Sequence, residues 1–144
     1  MVNRLEWAST LCSITRGIGV LGDAWTLHIL REILAGARYF GQIRDALDIA
    51  NNILSGHLQR MAAAGLITHR TTTVDGRPRK EYLPIAAAVD ALPILNALSL
   101  WAQRHASDEV TTVTAIVCLE CSTISTAGER CSNCNALLSA GGSR

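Results

Sequence analysis

The strongest constraint on the fold is a helical pattern followed directly by a hairpin pattern, between Asn51 and Tyr82. Residues 51–64 have apolar side chains at the spacing of one helix face. We expect that face to bury Ile53, Leu54, Leu58 and Met61. Gly65 is the residue type that commonly follows a helix end. The sequence therefore predicts a half-buried helix, and its polar outer face carries Asn52, Ser55, Gly56, Gln59 and Ala63.

The hairpin pattern comes next along the chain. Residues 66–74 are rich in Thr, Val and Ile and predict a β-strand, and Asp75-Gly76 predicts a tight turn. The basic run Arg77–Lys80 follows the turn, and we expect a return strand after it that ends at Leu83. A short amphipathic helix is also predicted over Phe40–Leu47, three residues before the polar-faced helix. Two short helices joined by a tight turn, with a hairpin after them, predict a winged helix-turn-helix.

Composition and charge narrow the class of protein. The chain has 144 residues, of which 49% are hydrophobic and 17% are charged, so we expect a folded core rather than disorder. It has no apolar run of the roughly 18 residues that a membrane span needs, and we expect a cytoplasmic protein. The net charge is only +1, but residues 51–82 carry five cationic and two acidic side chains. This local excess of +3 favours a nucleic-acid partner.

Further helices are predicted on both sides of the central pattern. One covers residues 12–21, and a second follows Asp23, a good N-cap residue, and ends at Leu34. A long helical segment is expected over Ala86–His105, in which Pro93 either kinks the helix or marks the first turn of its main part. Its apolar side chains lie on more than one side. Such a helix needs a second apolar partner, which a homodimer supplies most simply. The predicted fold class is mainly α with a small β-ribbon wing.

Four of the five cysteines form a CxxC-x9-CxxC pattern: Cys118, Cys121, Cys131 and Cys134. Each pair predicts a tight knuckle, and four protein ligands leave no open position, so we expect one structural zinc ion per chain. An iron–sulfur cluster and a metal-free dithiol are the alternatives. Ser122 and Asn135 follow the two knuckles, where a left-handed backbone is expected.

The chain is therefore expected to contain two units. Residues 1–106 would form the winged helix-turn-helix with its dimerisation helices, beginning with an arm at 1–11. Residues 113–144 would form a small zinc-binding hairpin module with a flexible end, after a polar linker at 107–112.

The polar-faced helix and the basic hairpin are candidates for contact with duplex DNA. A helix of this length fits the major groove, where amides pair with adenine, and cationic side chains of a wing contact phosphates or enter the minor groove. The alternative is a solvated helix face and hairpin. The predicted DNA-binding residues are Asn51, Asn52, Ser55, Gln59, Arg60, Arg77, Arg79 and Lys80.

Five segments in a fixed order carry a resemblance to a known family: Cys12, GDAWTLHILREI (22–33), FGQIRDAL (40–47), ILSGHLQRMAAAGLI (53–67) and LNALSLWAQRH (95–105). The chain resembles the HxlR family of bacterial winged-helix regulators, relatives of the MarR type. The resemblance implies a DNA-binding homodimer held mainly by its terminal helices. Ser13 and Ala50-Asn51 depart from the Pro and Ser-Pro that are common in the family. We expect Asn51 to cap the helix instead, and the operator sequence is not inherited from the family.

Cys12 aligns with a cysteine that some members of that family use to sense oxidants. A helix start and Arg16, one turn away, would favour its thiolate, whereas the alternative is a buried apolar residue at the dimer contact. No catalytic constellation is evident, so we do not expect an enzyme. The leading hypothesis is a transcriptional regulator, more specifically a repressor, that responds to a small molecule or an oxidant. The rival hypothesis is a protein-interaction or redox module in which the zinc knuckles or Cys12 have the main role.

Overall fold

The computed structural model describes residues 12–106, 116–118, 120–122, 124–125 and 130–137. The arm expected at 1–11 and the linker expected at 107–112 lie outside these residues. Within them the helices are α1 (Ser13–Leu21), α2 (Ala24–Leu34), α3 (Phe40–Leu47), α4 (Asn51–Ala63), α5 (Ala86–Val89) and α6 (Leu92–His105). The strands are β1 (Ile67–Val74), β2 (Arg77–Pro84), β3 (Ile116–Val117) and β4 (Ile124–Ser125). The predicted fold class is confirmed.

The central element of the core is α2, which begins where the sequence predicts. The Oδ1 atom of Asp23 accepts a hydrogen bond from the backbone N–H of Thr26 at 3.2 Å and so satisfies a free amide of the first turn. Three side chains of α2 are fully buried: Ile29, Leu30 and Ile33. Side chains from the surrounding helices and strands pack around them, including Ile43, Leu54, Leu58, Met61, Ile67, Tyr82 and Leu92. The helix-turn-helix pair α3–α4 is thereby fixed on one side of α2.

Strands β1 and β2 form an antiparallel hairpin that projects from this core. Their register runs from Ile67 opposite Pro84 to Val74 opposite Arg77. Asp75 and Gly76 join them with φ values of 51° and 74°. Two consecutive positive φ values are typical of the type I′ turn, which matches the twist of a hairpin. The base of the wing is then held by Arg38, whose carbonyl oxygen accepts a hydrogen bond from the N–H of Tyr82 at 2.6 Å.

The structure corrects the predicted burial of α4. Ile53 is 41% exposed, whereas His57, which the sequence pattern did not place in the core, is buried. The reason is geometric, because Leu54, His57, Leu58 and Met61 define one arc of the helix and Ile53 lies outside it. The expected N-cap role of Asn51 is also wrong. Ala50 is the N-cap residue and makes no side-chain capping hydrogen bond.

Two other boundaries differ from the prediction. The helical segment expected over Ala86–His105 is divided at Asp90 and Ala91, and Pro93 lies in the first turn of α6, which is one of the two roles predicted for it. Proline fits there because first-turn amides have no partner within the helix. The basic run was expected before the return strand, but β2 already begins at Arg77, directly after the turn.

Apolar side chains remain exposed on the first and last helices of this unit. On α1 they are Ile14, Ile18 and Val20, and on α6 they are Ile94, Leu98 and Trp101. Scattered exposed apolar residues are ordinary, but several on one helix form a surface that a partner can cover. A search of the described residues finds no helix that is both long enough and apolar enough to span a membrane.

Candidate nucleic-acid interface and metal centre

The exposed side of α4 carries the polar residues that the sequence assigned to it. We call this side the outer face, and its exposed members include Asn51, Asn52, Ser55, Gln59 and Arg60. On the buried side, Nδ1 of His57 lies 3.7 Å from Oδ1 of Asp23, the N-cap residue of α2. This contact joins α4 to the core helix and fixes how the outer face is presented. The sequence gives no signal for this pairing, since the two residues lie 34 positions apart.

The basic residues of the wing do not all present the same charge. Nε of Arg70 lies 2.6 Å from Oε2 of Glu81, and this hydrogen-bonded pair raises the pKa of Arg70. The charge of Arg70 is thus balanced within the hairpin. Arg77, Arg79 and Lys80 are exposed, and among the described residues none of them makes an ion pair. The positive charge of the wing that is available to an anionic partner therefore comes from these three side chains.

The register of the hairpin divides these cations between its two faces. Because side chains alternate along a strand, Arg77 and Arg79 lie on one face of β2 and Lys80 lies on the other. The guanidinium carbon of Arg79 lies 5.5 Å from the centre of the Tyr39 ring, a cation–π distance. Tyr39 also forms a bridge with Glu81 on the same strand. Sequence reasoning missed Tyr39, because its contact with the wing spans 40 positions of the chain.

The second candidate site is formed by the two CxxC pairs. The Sγ atoms of Cys118, Cys121, Cys131 and Cys134 all lie within 4.8 Å of one another. The distance is 3.6 Å from Cys118 to Cys134 and also 3.6 Å from Cys121 to Cys131. Tetrahedral bonds of about 2.3 Å from four sulfurs to one metal place the sulfurs about 3.8 Å apart. The donor set therefore fits a single tetrahedral metal ion, as the spacing predicts.

The two knuckles have matching backbone geometry. The N–H of Ser122 donates to the carbonyl of Cys118 at 2.8 Å, and the N–H of Asn135 donates to the carbonyl of Cys131 at 3.0 Å. Ser122 and Asn135 have φ values of 58° and 63°. The left-handed backbone expected after each knuckle is thus confirmed. Each knuckle turns its two sulfurs toward the same point.

Protonation of the thiols depends on this geometry. Backbone hydrogen bonds from Cys134 and Asn133 lower the pKa of Cys131, and the N–H of Asn133 lies 3.4 Å from its sulfur. The pKa of Cys134 is raised to about 12, because a backbone hydrogen bond from Ala136, which lowers it, is outweighed by desolvation and by hydrogen bonds with the other three thiols. Four crowded thiolates repel one another, and a bound cation removes that penalty.

Cys12 lies away from this cluster at the N-cap position of α1 and is exposed. A hydrogen bond with the side chain of Thr15, together with backbone hydrogen bonds from Thr15 and Ile14, lowers the pKa of the Cys12 thiol. Its exposure and lowered pKa are the two properties that a reactive thiol needs.

Comparison with known proteins agrees with this architecture. An uncharacterized HTH-type transcriptional regulator of Mycobacterium tuberculosis, Rv3095, is 32% identical over 93 residues, which are 65% of this chain. The chain spans only 58% of that relative's length. The solved structure of PA1374 from Pseudomonas aeruginosa, a candidate transcription factor, is 30% identical and has a TM-score of 0.54. That match covers 73% of this chain and 71% of PA1374.

A second solved structure covers nearly the whole chain. PA1607, another candidate transcription factor, has a TM-score of 0.73 and covers 96% of both chains at 20% identity, which supports the fold alone. Rv3095 is named as a transcriptional regulator and PA1374 as a candidate transcription factor, in agreement with the expectation that the chain is not an enzyme. A family model described as HxlR-like helix-turn-helix matches residues 20–110. With its α3–α4 pair and β1–β2 wing, the chain belongs to the HxlR-like helix-turn-helix family.

Proposed function

We propose that this chain is a sequence-specific DNA-binding transcriptional regulator that acts as a repressor. The observation that carries the proposal is the outer face of α4 together with the unpaired cations of the wing. The outer face offers amides and hydroxyls at the helix N-terminal half, the part that usually meets base edges. The wing offers Arg77, Arg79 and Lys80, which suit phosphates. In this assignment Asn51, Asn52, Ser55, Gln59 and Arg60 face the major groove.

Selection of bound duplexes from a random pool tests this function. We expect a two-fold-symmetric sequence whose half-sites lie about one helical turn apart. Asn52→Ala and Gln59→Ala should each alter the selected bases and cost roughly 1–3 kcal/mol at one position. Asp45→Ala, an exposed change on α3, is the control and should leave the selection unchanged. A pool without enrichment at moderate salt contradicts the proposal.

The functional form would be a homodimer. Its support is the set of exposed apolar side chains on α1 and α6, among them Ile14 at 73% and Trp101 at 61% exposure. A second copy would cover these faces and set the spacing of the two α4 helices. Sedimentation velocity tests this form. Leu98→Arg should shift the protein toward monomer, whereas Ala46→Arg, on the exposed side of α3, should not.

The four-cysteine cluster would hold one structural zinc ion per chain. The sulfur distances support a single metal, and two of the four thiols, those of Cys118 and Cys131, are buried. Folding of the module over residues 113–144 would then depend on metal binding, separately from the unit over residues 1–106. Metal analysis of the purified protein should find one zinc per chain. A content of iron, or of no metal, contradicts this assignment.

A second candidate function rests on Cys12. Its exposure and lowered pKa support a thiol that senses an oxidant and changes DNA affinity. The effector would then be an oxidant rather than a small molecule bound between the helices. A cytoplasmic location, where thiols are kept reduced, would suit either kind of effector. Peroxide should weaken DNA binding by the unmodified protein and leave Cys12→Ser unaffected. An equal response of both proteins contradicts a sensing role for Cys12.

A further inference from the structure

A large apolar side chain, that of Ile53, is exposed among the polar residues of α4. Ile53 is 41% exposed and lies in the first turn of the helix, beside Asn52. Gly56 and Arg60 follow at spacings of three and four residues, so Ile53, Gly56 and Arg60 form one stripe along the helix. The buried arc of α4 does not include this stripe. Ile53 therefore lies at the edge of the surface assigned to the major groove.

Gly56 allows the cation of this stripe to lie back along the helix. A Cβ atom added at Gly56 would be 3.4 Å from Nη1 of Arg60. The guanidinium of Arg60 thus lies over Gly56, where no side chain blocks it. It extends from Arg60 toward the N-terminal end of α4, the end at which Ile53 lies. The stripe thus offers an apolar side chain at Ile53 and, one position along it at Gly56, the guanidinium of Arg60.

Each of these groups matches a different feature of the major groove. The C5-methyl of thymine is the apolar group on the groove edge of the four bases, and guanidinium groups pair with O6 and N7 of guanine. Apolar contact with thymine methyls is a recognised source of sequence choice. A solvent-exposed isoleucine in this position gains from such a contact, because the methyl and the side chain both leave water.

We propose that Ile53 is a specificity-determining residue that packs against the C5-methyl of a thymine, one base step from the pair contacted by Arg60. The inference rests on the proposed function, since it assumes that α4 enters the major groove. It adds a residue that the polar pattern of the helix excludes. It also predicts two adjacent positions in the bound sequence: a thymine, and next to it the base pair that Arg60 contacts.

The test uses the duplex obtained by selection. Each thymine is replaced in turn by deoxyuridine, which removes only the methyl, and affinity is measured for the unmodified chain and for Ile53→Ala. At one thymine per half-site the unmodified chain should lose about fourfold in affinity, the value of one buried methyl group. Ile53→Ala should show no loss at that same thymine. Ile85→Ala is the matched control, since Ile85 is 39% exposed and lies between β2 and α5.

A second measurement checks that these two positions are adjacent. Selection repeated with Arg60→Met should relax one base pair, and that pair should adjoin the thymine found with deoxyuridine. If every thymine gives the same loss with the unmodified chain and with Ile53→Ala, the inference is overturned while the proposed function stands. If the sensitive thymine does not adjoin the relaxed pair, the inference is likewise overturned. Absence of any preferred duplex is a different result, because it rejects the proposed function itself.

Discussion

The ion pair on the wing leads to a quantitative prediction about salt. Arg70 and Arg79 both lie in the hairpin, but Nε of Arg70 is 2.6 Å from a Glu81 oxygen and Arg79 makes no ion pair among the described residues. Only a cation that neutralises a phosphate releases a counterion on binding. Arg79→Ala should therefore reduce the salt dependence of DNA binding, whereas Arg70→Ala should change it little.

The size of the effect follows from the number of phosphates that are neutralised. Each one contributes about 0.9 to the slope of log affinity against log salt concentration, so two copies of Arg79 in a dimer contribute about 1.8. Between about 50 and 200 mM salt this slope difference corresponds to roughly twelvefold in relative affinity. Glu81→Gln should act in the opposite direction, because it removes the partner that neutralises Arg70. A phosphate contact made by the released Arg70 would add about 0.9 per protomer to the slope.

Fluorescence anisotropy with a labelled duplex over that range of salt measures these slopes. The comparison between Arg70→Ala and Arg79→Ala is internal, because both variants remove one cation from the same hairpin. Equal slope changes for the two variants would refute the idea that Glu81 withholds the charge of Arg70. If Arg79→Ala leaves the slope unchanged, Arg79 does not neutralise a phosphate, and the assignment of this wing residue to the DNA-binding surface is wrong.

Three further changes test other parts of the structure. Ser122→Gly should tighten metal binding several-fold, because a φ of 58° costs an L-residue about 1–2 kcal/mol, and chelator competition measures this. Asp23→Ala should lower the free energy of unfolding by about 1 kcal/mol through loss of the α2 cap, unlike the exposed control Asp45→Ala. Cys118→Ser should release the metal, and acid should do the same in the unmodified chain, because protons compete with the metal for the cysteine thiolates. Metal retained by Cys118→Ser, or bound equally well in acid, would contradict the assigned ligands.

Several elements agree with the sequence because neighbouring residues determine them. The bounds of α3, the Asp23 cap, the Asp75-Gly76 turn and the left-handed residues after each knuckle all follow from local backbone preferences. The CxxC spacing is local in the same sense, since each pair lies on one tight turn. Such features need no knowledge of distant contacts.

Other features were mistaken or missed because they depend on contacts between distant parts of the chain. Apolar spacing alone placed Ile53 in the core, but packing against α2 gave that buried position to His57, beside Asp23. The stacking of Arg79 on Tyr39 has no local sequence signal either.

The sequence by itself determined the class of fold, the order of its parts, the candidate residues of the helix and wing, and the four cysteines that form the cluster. These depend on periodicity, turn chemistry and spacing, which act over a few residues. Only the tertiary structure decided which of those residues face outward, which wing cations keep their charge unpaired and which aromatic ring holds Arg79. Those properties arise where α2, α4 and β2 meet, because burial and pairing depend on which distant side chains occupy the same space.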